Sequence, residues 1–190
     1  GSDAPASSAK FIQSGTAYTA AGTYAATQTD ARGKNVSMVT DANKGIVTSV
    51  TDPNGQVVNT TYDTLRRPTK TSTMISGQEV KTESVYDTVK GYLTTVKHNT
   101  TTAASGDVTY TFGYDALGRQ TTVSVGTGNN VNVLSTTAYD ALTRQVSQIL
   151  FGNNGKVQNY YDEFGRLTAV RYDNASTNHF TYGYDAQGRV

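Results

Sequence analysis

The chain has 190 residues, with 16 Lys+Arg against 15 Asp+Glu and a formal net charge of +1, so its electrostatics give no reason to expect a nucleic acid or an anionic membrane as partner. Cysteine is absent, which excludes a disulfide framework and a thiolate metal site and is compatible with export. Only 36% of residues are hydrophobic, and the longest apolar run, Ile149-Leu150-Phe151, falls far short of the roughly 20 residues of a spanning helix.

In chain order, Gly1-Ser2 reads as a tag remnant, and residues 1–27 as an irregular lead-in without period. From about residue 28 a pattern sets in. Thr29-Asp30-Ala31-Arg32-Gly33, Thr40-Asp41-Ala42-Asn43-Lys44-Gly45 and Thr51-Asp52-Pro53-Asn54-Gly55 place turn aspartates eleven residues apart, and Tyr62-Asp63 continues the spacing with Arg66 in the glycine place and Arg67 in the arginine place. Tyr86-Asp87 comes next, with Gly91 one residue later than the pattern. The full YDxxGR copies are Tyr114-Asp115-Ala116-Leu117-Gly118-Arg119, Tyr161-Asp162-Glu163-Phe164-Gly165-Arg166 and Tyr184-Asp185-Ala186-Gln187-Gly188-Arg189. Between the first two, Tyr139-Asp140 has Thr143 for glycine, before Arg144.

Turn chemistry explains the residue types. An aspartate opening a type I turn accepts a hydrogen bond from the backbone N–H two residues on, and a glycine three residues later takes the left-handed conformation that closes a bulged hairpin. At Arg66 and Thr143 a left-handed side chain costs about 1 kcal/mol, which predicts another turn type at both. The flanks have strand period: Val108, Tyr110, Phe112 and Tyr114 alternate with Thr109, Thr111 and Gly113, and Phe180, Tyr182 and Tyr184 repeat the pattern.

One strand and one turn take about eleven residues. The wider gaps after Asp63 therefore predict a second bend halfway, at Ser76-Gly77, Ser105-Gly106, Gly126 to Asn130, Gly152 to Gly155 and Asp173 to Ser176. Residues 40–50 also align without gaps on residues 86–96, the mark of tandem duplication. Eighteen glycines, thirteen tyrosines and 32 threonines complete a β-rich palette. The expected fold is all-β, an extended antiparallel meander of repeated hairpins forming a curved or spiralling open sheet over residues 28–190. The chain stops at Val190 directly after a turn, which predicts a piece of a longer array.

The YDxxGR copies at hairpin spacing, among polar, tyrosine-rich strands, resemble the YD repeats of the Rhs family, whose members include polymorphic bacterial toxins, insecticidal toxin complexes, wall-associated proteins and teneurins. The segment from Gly22 to Gly55 is more similar to the secreted wall-associated branch. The resemblance implies a bacterial, secreted or surface protein, with a strip of sheet that winds into a hollow shell around a C-terminal, often toxic, domain. Its partners would then be the rest of its own array and that enclosed domain.

The candidate residues divide into scaffold and ligand sets. The scaffold set is Tyr62, Asp63, Tyr86, Asp87, Tyr114, Asp115, Gly118, Arg119, Tyr139, Asp140, Arg144, Tyr161, Asp162, Gly165, Arg166, Tyr184, Asp185, Gly188 and Arg189. Within it, Tyr114, Tyr161 and Tyr184 are expected to stack as an aromatic ladder, with arginines lying over rings or pairing with turn aspartates. The ligand set is Tyr110, Tyr182 and Tyr184, an alternative in which tyrosine rows grip glycans. No catalytic constellation is legible: His98 and His179 sit in different repeats, no serine lies in a GxSxG elbow, and the scattered glycines form no phosphate loop. The expectation is a non-enzyme without cofactor or metal, with exposed sheet edges through which the chain can dimerise.

Overall fold

The structure, a computed structural model, describes residues 14–99 and 107–190. The tag remnant and the bend expected at Ser105-Gly106 lie outside these residues. The described chain is all-β: fifteen antiparallel strands follow one another in chain order in one open sheet. No helix among the described residues is long and apolar enough to cross a membrane. The described residues group into two units, one of residues 14–83 with Asn99 and the other of residues 84–98 and 107–190.

The first unit carries β1 (Gly15–Tyr18), β2 (Ala25–Thr29), β3 (Asn35–Asp41), β4 (Ile46–Thr51), β5 (Val57–Tyr62), β6 (Pro68–Ile75) and most of β7 (Gln78–Tyr86). Gly15 pairs with Thr29 and Ala17 with Thr27, so regular pairing begins well inside the segment expected to be an irregular lead-in. A tight loop makes this pairing possible. In it Gly22 N–H donates to Thr19 O, and Thr19 N–H to Tyr24 O. With no aspartate to announce it, that turn has no motif in the sequence.

The second unit carries most of β8 (Leu93–Asn99), then β9 (Asp107–Tyr114), β10 (Gln120–Thr127), β11 (Asn130–Tyr139), β12 (Val146–Phe151), β13 (Lys156–Tyr161), β14 (Leu167–Tyr172) and β15 (Phe180–Thr181). The expected halfway bends separate β6 from β7, β10 from β11, β12 from β13 and β14 from β15. Cross-strand register sorts the side chains by face. Phe112 opposes Val123, Tyr110 opposes Val125, Ile149 opposes Val157, and Val170 opposes Phe180 on one side. Gly113 opposes Thr122, Thr111 opposes Ser124, and Gln148 opposes Gln158 on the other. The alternation read from Val108 to Tyr114 is thus a real two-faced strand. The copy at Phe180 to Tyr184 is shorter than expected: β15 ends at Thr181, although Tyr182 N–H still donates to Thr168 O.

Among the described residues the buried hydrophobic set is Ala169 alone, 5% exposed. Many apolar side chains of the strands are half-covered by cross-strand neighbours, each contact contributing about 0.2–1 kcal/mol, while those at the turn tips are exposed. Stability therefore resides in ladder hydrogen bonds, neighbouring pairs and the turns, rather than in a filled core.

Candidate functional site

The YD turns come after β5, β7, β9, β11, β13 and β15, that is, after every second strand. In each, the aspartate Oδ1 accepts the N–H two residues on, from Leu65, Val89, Leu117, Leu142, Phe164 and Gln187 at 2.9–3.0 Å. The position of the left-handed residue then splits the turns into two lengths.

In the short form the Asp N–H donates to the carbonyl four residues on, and the residue three on is left-handed: Gly118 at φ +80°, Gly165 at +77°, Gly188 at +79°. Arg66 does the same at φ +63°, with Arg66 N–H donating to Asp63 O and Asp63 N–H to Arg67 O. The expectation of another turn type there is overturned: the aspartate cap and its arginine hold the backbone shape even with a side chain in the strained region.

In the long form the left-handed residue comes four on, at Gly91 (φ +79°) and at Gly45 (φ +66°) of the related Thr40-Asp41 turn, as the alignment of residues 40–50 on 86–96 anticipates. Tyr139-Asp140 also has this form, so the change of turn expected at Thr143 is found. Its left-handed residue is Arg144 at φ +63°, with Arg144 N–H donating to Asp140 O and Asp140 N–H to Gln145 O. Arg144 therefore occupies the glycine place of a longer turn, and Gln145 stands where Arg119 and Arg166 stand in theirs.

Each short-turn arginine folds back on its own aspartate. Arg67, Arg119, Arg166 and Arg189 place Nε 2.7 Å from Oδ2 of Asp63, Asp115, Asp162 and Asp185 while their own N–H groups bond Oδ1. The backbone N–H of the arginine is the leading cause holding Asp63, Asp115 and Asp185 below the ordinary carboxylate range. At Asp162 desolvation opposes most strongly, yet the Arg166 N–H and guanidinium together still carry the carboxyl down. At Asp87 and Asp140 the N–H groups of Lys90 and Thr143 lead the same downward shift.

The tyrosines latch one turn to an earlier one. Tyr114 OH donates to Leu93 O at 2.7 Å, and Tyr62, Tyr139, Tyr161 and Tyr184 donate to the carbonyls of Val47, Gln120, Val146 and Leu167 at 2.8 Å. Every acceptor lies two residues after the left-handed residue of the turn two strands back. At Gln120, Val146 and Leu167 that is where the strand restarts with a register shift, and a carbonyl there faces a side chain rather than the ladder. Burial raises the Tyr114 hydroxyl above its ordinary pKa, which keeps it a donor.

The expected stack of Tyr114 on Tyr161 and Tyr184 is not formed; the column is interleaved instead. The Arg119 guanidinium lies 4.1 Å from the Tyr139 ring centroid and Arg166 4.6 Å from that of Tyr184. Tyr92 takes the same place over Tyr114, at 4.9 Å. Tyrosines on successive YD turns are about 9–10 Å apart, two strand spacings, too far for ring contact and right for one planar group between them. Further links run from Arg119 Nη1 to Arg144 O and from Gln145 Nε2 to Gly165 O.

A seventh tyrosine–aspartate pair shows that the dipeptide alone is not the signal. Tyr172-Asp173 sits at the opposite strand end, where Asp173 N–H donates to Lys156 O and Asp173 itself is left-handed at φ +53°. The tyrosines of the glycan-gripping alternative do not assemble. Tyr110 lies in β9 and Tyr182 beyond β15, with β10 to β14 between them, and Tyr184 is committed to Leu167 O and to Arg166. His179 Nδ1 accepts the Tyr172 N–H, and its ring lies 5.1 Å from that of Tyr172, an arrangement no motif predicted.

These residues build a repeat scaffold: aspartate-capped hairpins chained by tyrosine hydroxyls and arginine planes, with the same geometry recurring from turn to turn. Residues 161–190, which span two complete copies, match the family model described as RHS Repeat. No curated protein matches the chain. Among solved structures it resembles the crystal structure of TcdB2-TccC3 without hypervariable C-terminal region, at 16% identity and a TM-score of 0.54. That match covers 90% of this chain and 11% of the other, so the chain spans about a tenth of that structure's length. A Tc holotoxin pore of Photorhabdus luminescens matches at 16% identity over 73% of this chain and 9% of the other, with a TM-score of 0.42. TcdB2-TccC3-Cdc42 matches at 12% identity over 87% and 12%, with a TM-score of 0.37.

Proposed function

We propose that this segment is shell wall: a structural stretch of a larger secreted or surface-displayed bacterial Rhs-type protein, enclosing a C-terminal domain and doing no chemistry of its own. The observation that carries the reading is the turn-to-turn latch. Each latched YD turn holds its own aspartate and hands one hydroxyl back to an earlier turn, so the array extends by repetition without needing a filled core. A wall built this way stays thin. Most of the motif residues are consumed in the process, since the turn carboxylates, the short-turn guanidinium groups and the latched hydroxyls are bonded to the scaffold.

The TcdB2-TccC3 structure is described as lacking a hypervariable C-terminal region, which is the kind of domain such a wall would surround. Limited proteolysis of the complete parent protein tests the reading. The C-terminal domain is expected to resist a protease added outside and to be cut once the array is unfolded by acid. Cleavage of that domain at the same rate in the intact protein as when expressed alone overturns encapsulation, and would leave a displayed scaffold.

A further inference from the structure

In four YD turns of the second unit the second residue after the aspartate is apolar: Val89, Leu117, Leu142 and Phe164. These residues are 92%, 62%, 75% and 75% exposed at the turn tips, and Phe164 carries the Arg166 guanidinium 5.1 Å from its ring centroid. The same hydrogen bond, from each N–H to the Oδ1 of its aspartate, fixes all four alike. They therefore project from equivalent points about 9–10 Å apart along one margin, two strand spacings per step.

We infer that this margin is a contact surface for a second copy of the chain, laid antiparallel against the first. Three features select that occupant. A step of about 9–10 Å leaves a gap near one side chain wide, so a second identical row offset by half a step fills it, making the surface self-complementary in the way a two-fold contact requires. The inner turns do not oppose the approach, because Asp115 is paired with Arg119, and Arg144 shares its turn with Asp140. The outermost tip charges are Lys90 at one end of the row and Glu163 at the other, both exposed. An antiparallel arrangement sets Lys90 of one copy against Glu163 of the second at both ends, whereas a parallel one sets like charges together.

The four tips offer roughly 500 Å² per copy, or about 1,000 Å² for the pair, at the lower bound of a specific interface, so the association is weak and falls in the micromolar range. It is a different surface from the outer strands β1 and β15 of the described sheet, where backbone groups rather than side chains would pair.

Sedimentation velocity of the full chain over a hundredfold range of concentration tests this. The wild type is expected to show a reversible monomer–dimer equilibrium. Leu117→Asn with Leu142→Asn is expected to weaken it by at least about tenfold with the thermal midpoint unchanged, since both side chains are exposed. Lys90→Glu is expected to weaken it by a smaller factor, and Lys90→Glu with Glu163→Lys to restore it. A wild type that stays monomeric throughout, a dimer indifferent to the leucine changes, or a charge swap that fails to restore association would each overturn the inference. The second of these outcomes would point to edge-strand pairing instead.

Discussion

Replacing the Tyr114 hydroxyl tests the latch directly. Tyr114→Phe keeps the ring against Tyr92 and removes one hydrogen bond, from a part-buried hydroxyl to Leu93 O at 2.7 Å. A hydrogen bond of this kind contributes about 0.5–1.5 kcal/mol, and its partner carbonyl sits at a strand restart with fewer alternatives than an open ladder position. The short distance and burial favour the upper half of that range. In a domain of this size about 1 kcal/mol corresponds to about 2–4 °C in Tm, so a fall of about 3 °C is expected. Tyr139→Phe removes an otherwise similar bond that is exposed to solvent, and water substitutes for it more readily. Its loss should be about 1 °C or less by the same conversion. Tyr110→Phe is the control, a β9 tyrosine outside the YD turns. Thermal melts followed by far-ultraviolet circular dichroism on the three variants give the ordering. If Tyr114→Phe and Tyr110→Phe melt together, the latch contributes nothing and the turn-to-turn account of stability fails.

Arg66→Gly and Arg144→Gly should each raise the urea midpoint, by an amount corresponding to about 1 kcal/mol, because glycine meets the φ of +63° without strain. A drop at either would mean that the side chain matters more than the backbone there. Gly118→Ala should cost more than Gly188→Ala, as both are left-handed but a Cβ at 118 would run into the Tyr92 hydroxyl while at 188 the nearest neighbour is the tip of Arg166; equal urea midpoints would remove Tyr92 from the packing account. The turn carboxylates set the acid limit. Their folded pKa values lie below the ordinary 3.8, so the stability they lend is fully present above that value and is lost as the pH falls through the folded values. Tm should hold steady from neutrality to about pH 5 and fall below about pH 4, and a Tm that stays level down to pH 3 would contradict it.

How far the sequence alone reached depended on whether a feature is local. The capped turns were legible because Asp115, Gly118 and Arg119 act within a stretch of five residues: the carboxylate finds its N–H partners two and four residues away, and glycine supplies a backbone state that other residues adopt at a cost. Strand period, the bends between YD turns and the linear meander follow from the same short-range rules. Arg66 misled because its side chain hid a left-handed residue in a turn of ordinary length, whereas the change of turn expected from Thr143 is present and only the backbone trace shows that the turn gained a residue and made Arg144 its left-handed one.

The latch could not be read in advance, since 21 residues of chain separate Tyr114 from its acceptor Leu93, and strand register sets which carbonyl comes within reach. The same register set the tyrosines two strands apart, and so put Arg119 and Arg166, rather than another ring, against Tyr139 and Tyr184. Composition and motif spacing determined that the chain is a capped β-meander of YD repeats. The pairing of strands decided which side chain of one repeat bonds which atom of the next, because that distance is measured across the sheet and not along the chain.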